Sequence, residues 1–90
     1  MGKRNRLKII YDILNEIRRH KNSIKPTPLL RYSNLSFQSF SKYFDELIEK
    51  ELIEEVVDKK DKTVIKLTNK GHEYLKKYKM ITSFIDEFDL

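Results

Sequence analysis

The chain contains no cysteine. A disulfide framework and a zinc finger are therefore both excluded as staples for this small protein. Glycine and proline are scarce, two of each, and no tract is of low complexity. That argues against disorder beyond the ends. No apolar run approaches a membrane span, and no signal-peptide pattern is present. An intracellular, cytoplasmic protein with no membrane partner is expected. Gly-rich phosphate loops and nucleophile motifs are missing too. His20 and His72 have neither a cysteine partner nor ligand spacing to each other, so no metal site is expected. Asp86, Glu87 and Asp89 read as a solvated helix face rather than an acid–base pair. The chain is expected to be no enzyme and to need no cofactor.

What is present is charge. Ninety residues carry 19 Lys/Arg against 14 Asp/Glu, a net of +5, and the pI is about 9.4. Such a balance suggests a polyanionic partner. The charge is also uneven. Residues 1–50 hold eleven Lys/Arg and five Asp/Glu, whereas residues 51–90 hold eight and nine. One small domain of this length is near the lower limit for a good core unaided, so help from a second subunit is expected.

Residues 1–5 form a basic arm, with Lys3 and Arg4 and then Arg6. A phosphate-contacting arm and a solvated terminus both fit it. Leu7 to about His20 has helical period through Ile10, Ile13, Leu14 and Ile17. Arg18, Arg19, His20 and Lys21 close it and suit the negative end of the helix dipole. Asn22 to Pro26 reads as a connection. Thr27-Pro28 then predicts a short helix, with Thr27 as N-cap and Pro28 at its first position. This helix carries Leu29, Leu30, Arg31 and Tyr32 and ends near Ser33-Asn34. Tyr32 is expected in the core with its hydroxyl at the surface.

Ser36 predicts the N-cap of the next helix, which runs to Lys50. Phe37, Phe40, Phe44, Leu47 and Ile48 recur at spacings of three and four, one helical face. The polar face has two halves. Gln38, Ser39 and Lys42 come first, and Asp45, Glu46 and Glu49 follow. A helix whose N-terminal turns enter a DNA major groove wants this polarity. An ordinary solvated face is the simpler alternative. Two short-coupled helices of this kind are a helix-turn-helix.

After Lys50 the period changes. Ile53 to Asp58 and Thr63 to Leu67 are β-branched runs, and Lys59-Lys60-Asp61-Lys62 between them has hairpin-loop length. Thr68 then caps a last helix over 69–88. In it Tyr74, Tyr78, Ile81, Ile85 and Phe88 follow a heptad seam. Leu75 lies off the seam and can face the domain core. At roughly 30 Å this helix is as long as the domain is wide, so its end should protrude.

The fold class expected is mainly α with a small β-hairpin (α+β), a winged helix-turn-helix over residues 6–75 with a long C-terminal dimerisation helix over 69–90. N-L-S-F-x-x-F-x-x-Y-F-x-x-L-I-x-K-x-L-I-E from Asn34 to Glu54 and L-T-N-K-G-x-x-x-L from Leu67 to Leu75 carry a resemblance. So does R-L-K-I-I-Y-D-I-L, the first helix. Together they resemble archaeal winged-helix regulators, including small crenarchaeal chromatin proteins and relatives from viruses and plasmids. The resemblance covers about Arg6 to Tyr78. It implies binding of double-stranded DNA and dimerisation through the C-terminal helix. The family usually has Gly where this chain has Glu51.

The candidate site follows. Phe37, Gln38, Ser39, Ser41 and Lys42 form the recognition face. Gln38 can pair with adenine, Lys42 with guanine or phosphate, and Phe37 with a thymine methyl. No arginine stands there. Arg31 is a phosphate candidate on the preceding helix, and Lys59, Lys60 and Lys62 are phosphate candidates in the wing. Tyr74, Tyr78, Ile81, Phe84, Ile85 and Phe88 are candidates for a homodimer interface. The expected function is a homodimeric transcriptional regulator on double-stranded DNA. Two alternatives stand beside it: an architectural nucleoid protein of low sequence specificity, and a winged-helix protein–protein interaction module.

Overall fold

A computed structural model describes residues 4–90 of the chain. Lys3, part of the expected basic arm, lies outside the described residues. The elements run α1 (Arg6–Arg19), α2 (Pro26–Ser33), α3 (Phe37–Glu49), β1 (Ile53–Val57), β2 (Thr63–Leu67) and α4 (Asn69–Glu87). This is the winged-helix order expected, and the long C-terminal helix is present. None of the helices is long and apolar enough to cross a membrane among the described residues.

Each helix starts and stops for a local reason. The Asn5 side chain accepts from the Lys8 N–H at 2.8 Å and caps α1. At the other end Lys21 and Asn22 take positive φ. The Asn22 N–H reaches the Ile17 carbonyl at 3.0 Å, and the Lys21 N–H reaches Arg18 at 3.1 Å. That pair of bonds is a Schellman stop. Asn22 does more than end the helix. Its Oδ1 accepts from the Leu67 N–H at 2.7 Å and so ties α1 to β2.

α2 corrects the sequence-based reading. Its N-cap is Lys25, its first residue is Pro26, and Thr27 stands inside the first turn rather than capping it. The residue before a proline is pushed to extended backbone, and Lys25 has ψ 154. No side chain caps this helix. An N-cap side chain bonds the N–H of the second or third helical residue, and Pro28 removes the third. The 22–26 connection is also more than a connection. Ile24 exchanges two backbone bonds with Ile65, at 3.2 and 2.7 Å, a third rung beside the hairpin.

α3 is capped as expected, with the Ser36 hydroxyl accepting from the Ser39 N–H at 3.1 Å. Its end resolves the question of Glu51. Glu51 itself takes the left-handed conformation, φ 61. Its N–H bonds the Ile48 carbonyl at 3.0 Å, and the Leu52 N–H bonds Leu47 at 2.9 Å. Leu47 and Leu52 are both buried, which is the apolar contact that accompanies this motif. The stop therefore forms without glycine, at a cost of about 1–2 kcal/mol for a side chain in that region.

The hairpin is antiparallel, with Ile53 opposite Leu67 and Val57 opposite Thr63. α4 then docks at the turn after α3. The Thr68 hydroxyl donates to the Glu51 carbonyl at 2.6 Å and also accepts from the Gly71 N–H at 3.1 Å. Gly71 is required by close approach. A Cβ there would meet the Leu52 carbonyl oxygen at 2.2 Å. The core fills the space between these elements, with Ile13, Leu14, Ile17, Leu29, Leu47 and Ile65 fully buried.

Candidate nucleic-acid interface

The first turns of α3 stand clear of the core. Phe37 is 71% exposed, Gln38 and Lys42 are exposed, and Ser39 and Ser41 are half-buried beside them. Phe40 and Leu47 hold the other side of the helix inside. Phe37 thus belongs to the outer surface and not to the core edge. The first turn carries no acidic residue. The positive end of the helix dipole is left uncompensated, as an anion site needs.

The carboxylates lie further along. Glu46 is held by Arg6 and by Lys50, the latter at 3.9 Å. Arg6, Lys42, Tyr43 and Glu46 line one shallow hollow. Arg6 thereby neutralises the acid that shares this hollow with Lys42, and Lys42 makes no salt bridge among the described residues. Local sequence patterns give no sign of this role of Arg6, because the partner is forty residues away in the chain.

Arg31 is exposed in the last turn of α2. Tyr32 differs from expectation. It is 54% exposed, and its ring lies 5.0 Å from that of His20 instead of in the core. His20 in turn brings Nδ1 within 2.9 Å of the Glu16 carbonyl. Arg4, from the expected arm, is not loose. Its guanidinium donates to the Asp12 carboxylate at 3.0 Å and to the Ser33 carbonyl at 2.8 Å.

The wing is built on Asp58. Its carboxylate accepts from the Lys60 N–H at 2.8 Å and the Lys62 N–H at 2.9 Å. Those bonds, Lys62 foremost and opposed by partial burial, hold the Asp58 carboxyl below its ordinary pKa, with Lys25 and the Lys60 charge adding to the effect. Asp61 turns the loop with φ 65. Lys59, Lys60 and Lys62 are left exposed around a fixed backbone. Lys25, at the start of α2, is close enough to act on Asp58. It is a further cation of this region that sequence reading missed, since it precedes a proline in what reads as a plain connection.

The dimer candidates divide. The Tyr74 hydroxyl donates to the Leu7 carbonyl at 2.8 Å, and burial first, then Tyr78, raises its pKa. Tyr78 stacks on Tyr11 of α1, ring centroids 4.4 Å apart. Both tyrosines are thus used within the chain. Ile81, Phe84, Ile85 and Phe88 are 40–58% exposed, with Met80 and Leu90 exposed near them. Phe84 and Phe88 lie 4.9 Å apart on one side.

A family model described as winged helix-turn-helix matches residues 3–86. The DNA-binding protein Sso10a-2 from Sulfolobus solfataricus is similar in structure, with a TM-score of 0.73 at 18% identity, covering 94% of this chain and 85% of that one. The PcaV transcriptional regulator from Streptomyces coelicolor has a TM-score of 0.74 at 15% identity, covering 89% of this chain and 60% of its own. The reduced form of MarR from E. coli has a TM-score of 0.68 at 21% identity, with 82% and 55% covered. The chain therefore spans only somewhat over half the length of these last two proteins. No curated protein matches it by sequence. At these identities the structural likeness establishes the fold.

Proposed function

The chain belongs to the winged helix-turn-helix family, and we propose that it is a homodimeric transcriptional regulator that binds double-stranded DNA through α3 and the wing. One observation carries this reading. The N-terminal turns of α3 offer Phe37, Gln38 and Lys42 to solvent at an uncompensated helix N-terminus, with carboxylates kept to later turns. Gln38 and Lys42 are the base-edge readers, while Arg31, Lys59, Lys60 and Lys62 contact phosphate. The likeness in fold to Sso10a-2, a DNA-binding protein, and to PcaV, a transcriptional regulator, supports it. The second subunit docks on the exposed half of α4. A cytoplasmic, nucleoid-associated location follows from the partner.

A second reading has an observation behind it. No arginine lies on the exposed face of α3, and arginine is the commonest reader of guanine. That favours an architectural role with little sequence preference. A salt series of gel shifts on genomic and random duplexes separates the two. Gln38→Ala should weaken a preferred site by about 1–3 kcal/mol more than random DNA if α3 reads bases. Equal weakening on both leaves the architectural role. Lys59→Ala, Lys60→Ala and Lys62→Ala combined should flatten the slope of log affinity on log salt by roughly 0.9 for each phosphate no longer neutralised. An unchanged slope removes the wing from the interface.

A further inference from the structure

A second basic surface lies away from α3. α3 packs on α2 and β1, whereas α4 packs on α1 and β2. Between α1 and α4 runs a groove of about 300 Å³. α1 contributes Tyr11, Asn15 and Arg18 to it, and α4 contributes His72, Lys76 and Lys79. None of its lining residues is acidic.

The neighbouring carboxylates of α1 are already occupied. Asp12 is held by Arg4 at 3.0 Å and Lys8 at 3.1 Å, and Glu16 faces Arg19 at 3.6 Å. Arg18, Lys76 and Lys79 make no salt bridge among the described residues. The groove is also organised. The Asn15 amide oxygen accepts from Arg18 Nε at 3.1 Å and Nη2 at 2.7 Å, which fixes the guanidinium. The Tyr11 ring forms a wall, set by its stack on Tyr78.

The spacing points to a chain of anions. His72, Lys76 and Lys79 stand at i, i+4 and i+7, a rise of ~10 Å along the helix. Phosphates on one strand of duplex DNA repeat at every ~3.4 Å of axis and somewhat further apart through space, so more than one falls within that span. A single small anion would satisfy one cation and leave the rest unpaired.

We infer that the α1–α4 groove, through Arg18, Lys76 and Lys79, binds the phosphate backbone of a second DNA duplex while α3 and the wing hold the first. The inference rests on the DNA-binding reading above for the first duplex only. The groove cations stand on α1 and α4, whereas the first set stands on α2, α3 and the hairpin loop.

The test counts duplexes. Sedimentation at low salt of the full chain with excess short random-sequence duplex measures the number taken up per protomer. Arg18→Ala, Lys76→Ala and Lys79→Ala together should lower that number by one. Arg18→Lys with Lys76→Arg and Lys79→Arg should retain it. Lys66→Ala, Lys70→Ala and Lys77→Ala together remove the same charge elsewhere and should leave the count intact. Equal counts for the full chain and the groove variant overturn the inference, as does an equal fall in the charge-matched control. A fourth chain separates the two readings. Gln38→Ala and Lys42→Ala with the three wing lysines changed to Ala should lose the other duplex. If that chain keeps every duplex, the α3 reading falls and the groove stands. If the groove variant alone keeps every duplex, the reverse holds. Melting followed by circular dichroism verifies that each variant is folded.

Discussion

In the first half of α4, from Asn69 to Tyr78, the apolar positions meet the rest of the chain. Leu75 is buried, Gly71 lies against the Leu52 carbonyl, Tyr74 bonds Leu7 and Tyr78 stacks on Tyr11. In the second half, Ile81, Phe84, Ile85 and Phe88 continue the same period with nothing over them. The chemistry differs to match. The inner half uses tyrosines, whose hydroxyls reach polar partners or solvent at a half-covered edge. The outer half uses isoleucine and phenylalanine, which have no polar handle and gain only by being covered. α1 is about 21 Å long and is already used up by the first half. The molecule measures 48 × 27 × 22 Å, so its long axis is nearly twice the others. One uninterrupted apolar period thus serves two interfaces, one within the chain and one proposed between chains.

Substitutions can break this comparison. The largest effect is expected at Leu75→Ala, about 2–5 kcal/mol of domain stability by chemical denaturation. Ile81→Ala should leave the unfolding of the isolated protomer nearly unchanged at high dilution. Equal destabilisation at both positions would mean that the two halves do not differ.

Ile81→Asp and Ile85→Asp should each yield a monomer at micromolar concentration by sedimentation. Burying a large apolar side chain gives about 1.5–3 kcal/mol. Several together can offset association costs of about 4–15 kcal/mol. A full chain that is itself monomeric at that concentration, or a dimer indifferent to both charges, ends the proposed interface.

Gly71→Ala and Ser83→Ala should have opposite signs. Helix propensity alone favours alanine over glycine by about 1 kcal/mol. At Gly71 the new Cβ strikes backbone, so a net destabilisation of about 1–3 kcal/mol is expected in thermal melts. At exposed Ser83 a gain of a few tenths is expected. A stabilised Gly71→Ala would show that α4 docks less closely than described.

A modest loss sharpens the boundary between the halves. Tyr74→Phe removes one hydrogen bond and should cost about 0.5–1.5 kcal/mol. It should leave the oligomeric state unchanged. A collapse of self-association instead would put Tyr74 in the interface between subunits.

Much of the candidate interface is legible in the sequence because it is local. Ser36 caps α3, and three- and four-residue spacings from Phe40 to Ile48 set which face turns inward, so Gln38 and Lys42 read as outward, whereas Phe37 continues the same spacing and yet lies at the surface. The lysine loop is readable from the β-branched runs on either side. Arg6 and Lys25 are not. Arg6 gains its role from its ion pair with Glu46, and the Lys25 charge only helps lower the Asp58 pKa, couplings that no window of sequence brings together. Thr27 misleads because a good N-cap residue stands next to a proline. The helix begins at the earlier Pro26, whose fixed φ suits a first position.

By itself the sequence determined the order of elements, the helix caps at Ser36 and Thr68, the inward face of α1 and the absence of any cysteine-based staple. These depend on hydrogen bonds and periodicity within a few residues. Only the tertiary structure decided that Glu51 takes the left-handed turn in place of a glycine, that Gly71 is needed for close approach and not for flexibility, and that the apolar seam of α4 divides after Tyr78. Those outcomes depend on which surfaces the other elements leave uncovered. A helical period states that a face is apolar, but the length of α1 decides where its cover ends.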